Sequence, residues 1–134
     1  MKPSLFVFGL LIFVLLAIGT TVGAAEVDAG KELYMQYCSS CHGEDGRGNG
    51  PVSAYLKIKV PDLTLLRKNN KGIYPMDKVM SAIDGRRTVP GHGDRKMPVW
   101  GEVFRKEAEG GKYAELQALL KAKLIAEYIA TIQK

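Results

Sequence analysis

Cys38-Ser39-Ser40-Cys41-His42 decides the reading of this chain. The C-x-x-C-H spacing is the attachment signature of c-type haem. Each thiol adds to one vinyl group of the porphyrin, and the two-residue gap lets both sulfurs reach the same edge. His42, directly after the second cysteine, is then the candidate proximal iron ligand. Other cysteine chemistries fit less well. A thioredoxin-like pair also reads C-x-x-C but expects a βαβ context, and strand-like patterns are scarce here. A zinc site needs about four ligands. The chain has two cysteines and two histidines in all, and His42 abuts Cys41 too closely to share a metal with it comfortably. A disulfide across two intervening residues is rare.

Upstream of the motif, Asp28 reads as an N-cap, followed by a helix in which Leu33, Tyr34 and Tyr37 share one face. Before it lies a different kind of sequence. Lys2 is a minimal positive region, residues 5–18 are apolar apart from Gly9, and the small residues of 19–25 follow. That is the layout of a secretory signal peptide, so residues 1–25 are expected to be a signal peptide and residues 26–134 the folded domain. An uncleaved anchor is the alternative, because residues 3–25 carry no charge and a span takes about 20 apolar residues. Both readings export the folded part.

Downstream, residues 43–50 hold four glycines and three charged residues and read as a loop. Residues 51–56 read as a short helical turn, residues 61–66 as a short apolar element and residues 67–72 as a polar turn. Pro75 suits the first position of a helix whose stripe is Met76, Val79, Met80 and Ile83, with Gly85 to end it. Residues 86–100, with Pro90, Gly91, Gly93 and Pro98, are too broken for regular structure. Residues 102–111 read as charged and solvated. From Tyr113 onward Leu116, Leu120, Leu124, Tyr128 and Ile132 recur every four positions, with Leu119, Ile125 and Ile129 alongside. This predicts the strongest helix of the chain. The fold class is therefore all-α, with long loops around a cofactor.

The 134 residues bear 19 basic and 14 acidic side chains. Without Lys2, 18 against 14 leave +4, and the haem propionates lower this further. Nucleic-acid binding is not indicated; a mildly basic face can steer docking to an acidic redox partner. A folded part this short has a marginal core of its own, and a buried haem adds a large apolar body to it.

These residues together resemble the class I cytochrome c family, over the chain from Ala29 to the C-terminus. The motif carries the resemblance most strongly, and the run Cys41-His42-Gly43-Glu44-Asp45-Gly46-Arg47-Gly48-Asn49-Gly50-Pro51 is similar to that of small bacterial electron carriers. The resemblance implies the cytochrome c fold: N- and C-terminal helices crossing around one covalently attached haem c, here through Cys38 and Cys41. In that family a glycine and an aromatic of the first helix meet an aromatic of the last. Gly30, Tyr34 and Tyr128 match those roles.

The family takes its second axial ligand from a methionine in a downstream loop. Met97-Pro98-Val99-Trp100-Gly101 resembles that loop, and Met97 stands 55 positions after His42. Of the other methionines beyond Met1, Met35 is too close to Cys38 to reach the opposite haem face, while Met76 and Met80 sit in a helical stripe that more often means core. Met80 is the second choice. His92 reads as a solvent-facing loop residue, with bis-histidine ligation as its alternative. The iron ligands are thus expected to be His42 and Met97, a Met/His pair that raises the reduction potential. The family also offers the carbonyl of a proline after a glycine to the proximal imidazole, which Gly50-Pro51 matches; Pro51 is otherwise an ordinary turn residue. Trp100 and Arg86, with Arg87 beside it, are candidate donors to the propionates; plain packing and a solvated pair are the alternatives. Arg86, Arg87, Arg95 and Lys96 flank Met97 and are placed in sequence to attract an acidic partner.

The expected function is electron transfer by a non-enzymatic, single-haem, exported protein, periplasmic or anchored facing the periplasm. Its partners are redox proteins, among them a membrane-bound oxidase or reductase; the membrane itself is a partner only if the N-terminal segment is uncleaved. Two rivals stand beside it: a haem subunit of a membrane respiratory complex, and a catalytic or sensing haem protein with a labile sixth ligand.

Overall fold

Six α-helices and two 3₁₀ turns, with no strand, make up the residues that the computed structural model describes, 21–85 and 98–134. The helices are α1 (Thr21–Tyr37), α2 (Ser39–His42), α3 (Leu66–Asn69), α4 (Met76–Asp84), α5 (Trp100–Glu107) and α6 (Ala114–Thr131); the 3₁₀ turns are Ser53–Tyr55 and Leu63–Leu65. This is an all-α cytochrome c fold.

The frame is the crossing of α1 over α6. Gly30 makes it close: a Cβ there would overlap the carbonyl oxygen of Leu124 and stand 3.1 Å from Cβ of Tyr128. One turn later Tyr34 is fully buried, its ring 5.2 Å from that of Tyr128 and tilted by 50°. Removing apolar side chains such as Ile125 from water is worth about 1.5–3 kcal/mol each, and Ile125 and Ile129 are both buried at or beside this crossing.

Helix α6 is the hub, packing against α1, α4 and α5. Its buried face is Ala114, Ala118, Ala122, Ile125, Ala126, Tyr128 and Ile129. The small alanines let neighbouring helices approach. The expected helix is present and is the longest among the described residues, though not every leucine of its pattern faces the core: Leu116, Leu119 and Leu120 are 62%, 40% and 50% exposed. At 3.6 residues per turn, each four-residue step rotates about 40° past a full turn. A line drawn from Tyr128 back to Leu116 therefore leaves the core and ends in solvent.

Two further expectations change. Asp28 does not cap α1 but lies within it, exposed. The stretch before it includes Ala24, Ala25 and Glu26, good helix formers, so helix continues upstream. Residues 102–111 are not simply a solvated segment, because α5 occupies Trp100–Glu107 and buries Gly101 and Phe104. Glu102 in its first turn, and Arg105 and Lys106 in its last, complement the helix dipole. Helix α4 follows Pro75 and ends on left-handed Gly85 (φ 82°), with Val79 and Ile83 buried. The C-terminus is tied down: Gln133 Nε2 donates to Leu63 O (2.7 Å) and the Lys134 N–H to Thr64 O (3.0 Å).

Candidate haem site

The motif begins where α1 ends, and it is still hydrogen-bonded as helix. The Cys38 N–H donates to Tyr34 O (2.8 Å), the His42 N–H to Cys38 O (2.9 Å) and the Gly43 N–H to Ser39 O (2.8 Å). Both thiols and the imidazole therefore belong to one tight turn. Cys38 is buried and shares an apolar cluster with Val79, Ile83, Met80, Tyr74 and Trp100; Cys41 and His42 are half-buried.

The two cysteines form no disulfide. Burial, and then the neighbouring Cys41, push the Cys38 thiol up to about 12. A reactive redox cysteine needs the opposite, a thiolate stabilised near neutral pH. Among the described residues no group of three or more His, Cys, Asp or Glu side chains is placed to hold a metal ion. The thioredoxin-like and zinc readings thus gain nothing. Two thiols and an imidazole on one turn, at the margin of an apolar core, fit a haem held by two thioethers and an axial histidine.

The loop after the motif folds back onto it. The Gly48 N–H donates to His42 O (2.7 Å), the Gly50 N–H to Cys41 O (3.2 Å) and the Val52 N–H to Ser40 O (2.9 Å). These bonds satisfy the carbonyls that a helix end leaves open. Gly50 is required by contact, since a Cβ there would fall 2.5 Å from Ser39 O. Pro51 is exposed and follows this contact, so the Gly50-Pro51 turn lies against the motif turn. Its role as acceptor for the imidazole remains an expectation. Tyr34 joins the frame to the site, its hydroxyl donating to Gly43 O (2.6 Å); burial lifts that hydroxyl well above the usual phenol range.

Beside the motif stands an aromatic group. Trp100 meets the ring of Tyr37 edge-on at 5.2 Å and stacks on Phe104 at 6.0 Å. Tyr37 immediately precedes Cys38, so Trp100 is placed beside the motif, as packing at least; its propionate role remains an expectation. Sequence reasoning missed the partners of this group. The Tyr37 hydroxyl donates to Glu107 Oε2 (2.9 Å), and Lys121 Nζ pairs with the same oxygen (2.7 Å) while lying over the Phe104 ring. Only the charge and aromaticity of these residues were visible, at separations of 70 and 14 positions.

Arg86 and Met97 lie outside the described residues, as do Arg87, His92, Arg95 and Lys96. The other methionines are described: Met35, Met76 and Met80 are partly buried and packed against the core cluster. No helix among the described residues is long and apolar enough to cross a membrane.

The family model for cytochrome c oxidase, cbb3-type, subunit III matches residues 25–110, more than half of the chain, from within α1 through the end of α5. No curated protein and no solved structure matches the chain.

Proposed function

From the premise that this chain belongs to the cytochrome c oxidase, cbb3-type, subunit III family, and is thus a c-type cytochrome domain with covalent haem for electron transfer, we propose that it is a single-haem electron carrier of class I type. The observation that carries this is the 38–42 turn, which sets two thiols and an imidazole at the edge of an apolar cluster. The chain has one such motif and no further cysteine, which supports one haem c attached through Cys38 and Cys41. His42 and Met97 are the proposed axial ligands. Bound haem supplies the Fe(II)/Fe(III) couple. The chain holds the proximal imidazole in a hydrogen-bonded turn and surrounds Cys38 with rigid apolar packing, which limits reorganisation when the charge changes. No enzymatic activity is proposed.

A second reading has equal support from the family: the same domain acting as a subunit of a membrane-bound respiratory oxidase. In both readings residues 1–25 export the domain, either cleaved as a signal peptide or retained as an anchor, and residues 26–134 face the periplasm. The partners are then redox proteins, a membrane-bound oxidase or reductase among them, and not nucleic acid.

Acid-acetone extraction of denatured holoprotein tests the attachment. Haem should stay on the polypeptide, at one per chain by haemochrome assay. Release of intact haem, or two haems per chain, overturns the proposal. Mass spectrometry of protein from an exporting host separates the two forms: a start at Ala25 or Glu26 supports the carrier, and the full chain in the membrane fraction supports the subunit.

A further inference from the structure

Asp84 is the one acidic residue buried among the described residues, and neither the electron-transfer reading nor the helix that bears it accounts for it. It ends α4, where a carboxylate opposes the helix dipole. Its contacts with Gly101 and Arg105 reach residues that follow 86–97 in sequence. A Cβ on Gly101, in the first turn of α5, would fall 2.5 Å from Asp84 Oδ1 and 2.6 Å from Asp84 O. A Cβ on Gly85 would overlap Cγ1 of Val99. The described ends of the chain on either side of residues 86–97 therefore touch through two glycines, Gly101 against the backbone and carboxylate of Asp84 and Gly85 against the side chain of Val99.

The carboxylate faces an α5 N-terminus whose cap residue, Val99, offers no side-chain hydrogen bond. An acid there is favourable. One turn further along α5, Arg105 Nη1 approaches Asp84 Oδ1 at 3.8 Å and Glu115 Oε2 on α6 at 3.4 Å. The Asp84 side chain is only 10% exposed and that of Arg105 35%. One buried carboxylate thus joins the end of α4 to the start of α5, and an arginine carries the link to α6.

We propose that Asp84 and Arg105 are positioning residues for the sixth ligand. They close the neck where the chain leaves α4 and returns to α5, and so fix where Pro98 re-enters, next to Met97. This rests on the reading of Met97 as the axial ligand. Neither residue touches the iron. Their effect is on how readily the thioether gives way to a competing ligand.

The test uses full-length holoprotein in the Fe(III) state. Imidazole affinity and the far-red thioether band are measured at one pH beside the melting temperature, for wild type, Asp84→Asn, Arg105→Gln, the double variant and Arg105→Lys. Gly101→Ala wedges the neck while keeping the charges. Gly30→Ala is the reference, destabilising the α1/α6 crossing far from the neck. Asp84→Asn, Arg105→Gln and Gly101→Ala should each bind imidazole at least about fivefold more tightly, as expected when the competent population falls. The double variant should add little to either single change, and Arg105→Lys should restore most of the wild-type behaviour. Gly30→Ala should lower the melting temperature without that gain. If imidazole affinity tracks melting temperature across all variants, Gly30→Ala included, the positioning role is wrong. Where Asp84→Asn yields no holoprotein, Arg105→Gln and Gly101→Ala decide by the same criterion. A wild type that lacks the far-red band and binds imidazole freely sinks the Met97 reading itself, a result distinct from an intact band that the neck variants fail to shift.

Discussion

Residues 38–52 are held largely by their own backbone hydrogen bonds, whereas the described residues on either side of 86–97, namely 84–85 and 98–101, are held from outside. In the first region the motif turn closes on its own backbone, and three N–H groups from the loop just after it cover its carbonyls. In the second, the ends of two helices meet through Gly85, Val99, Asp84 and Gly101, steadied by Arg105 and by Trp100 against Tyr37. Contacts within a dozen residues form at low entropic cost, while contacts between separate elements depend on the whole fold being in place. The proximal side of the proposed haem site is therefore expected to be rigid and self-sufficient. The opposite side is expected to report on tertiary packing.

The largest effect belongs to the self-sufficient region. Cys38→Ala or Cys41→Ala should sharply lower the yield of holoprotein, measured as haem absorbance per mole of purified polypeptide. An unchanged yield of covalent haem from either variant contradicts the two-thioether attachment.

The second effect probes the other side. Met97→Ala should abolish the weak far-red band of the Fe(III) form, open the iron to small ligands and lower the reduction potential, because a thioether favours Fe(II). Met80 is packed against the core, so Met80→Ala should keep the band and cost about 2–5 kcal/mol of stability if its site behaves as core. The reverse pattern, with Met80→Ala or His92→Ala altering the coordination and Met97→Ala leaving it intact, reassigns the ligand. Wild-type iron that already binds added ligands readily weakens the carrier reading in favour of a catalytic or sensing protein.

The same contrast explains what the sequence disclosed. The motif, the glycine loop and α4 were legible because each is written in consecutive residues: C-x-x-C-H, four glycines within 43–50, a proline before and a glycine after an apolar stripe. Gly30, Tyr34 and Tyr128 were legible through a family pattern, and the crossing they form is present. Helix α5 was not, because its charged residues outnumber its apolar ones and Phe104 is buried only by what packs on it. Asp84 was invisible as a tertiary partner, since its meeting with Gly101 spans residues that carry no continuous pattern. The helix from Tyr113 onward was legible in its periodicity, but which of its leucines face the core was not, because a series of four-residue steps drifts around a helix that turns every 3.6 residues and leaves Leu116 and Leu120 exposed.

A third prediction tests the frame that both regions share. Gly30→Leu forces bulk into the α1/α6 crossing, where even a Cβ overlaps the Leu124 carbonyl. Overpacking of this kind costs about 1–3 kcal/mol and should appear as a lower melting temperature. An unchanged melting temperature means the crossing tolerates separation.

The smallest effect separates the exposed charges around Tyr37 from the buried pair at the neck. The hydrogen bond from Lys121 holds the Glu107 carboxyl below its usual range; burial opposes it less strongly, and the bond from Tyr37 adds a smaller lowering. The same bond to Glu107 holds Lys121 above its usual range. A carboxylate with a depressed folded value contributes stability that is fully present above its unfolded value and is lost as pH falls through the folded one. A raised lysine contributes below its unfolded value and loses that contribution as pH rises through the folded one. Glu107→Gln should therefore destabilise most at neutral pH. The gap to wild type should close in acid, as pH falls through the lowered Glu107 value, and narrow again in strong alkali. With side chains 37% and 30% exposed, the pair is worth under about 1 kcal/mol, and salt near 1 M should flatten it because the screening length there is about 3 Å. Asp84, at 10% exposure, should keep its effect in the same salt. A Glu107→Gln gap that survives both acid and salt assigns that side chain to packing instead of charge, and a salt-sensitive Asp84 removes the distinction between the two regions.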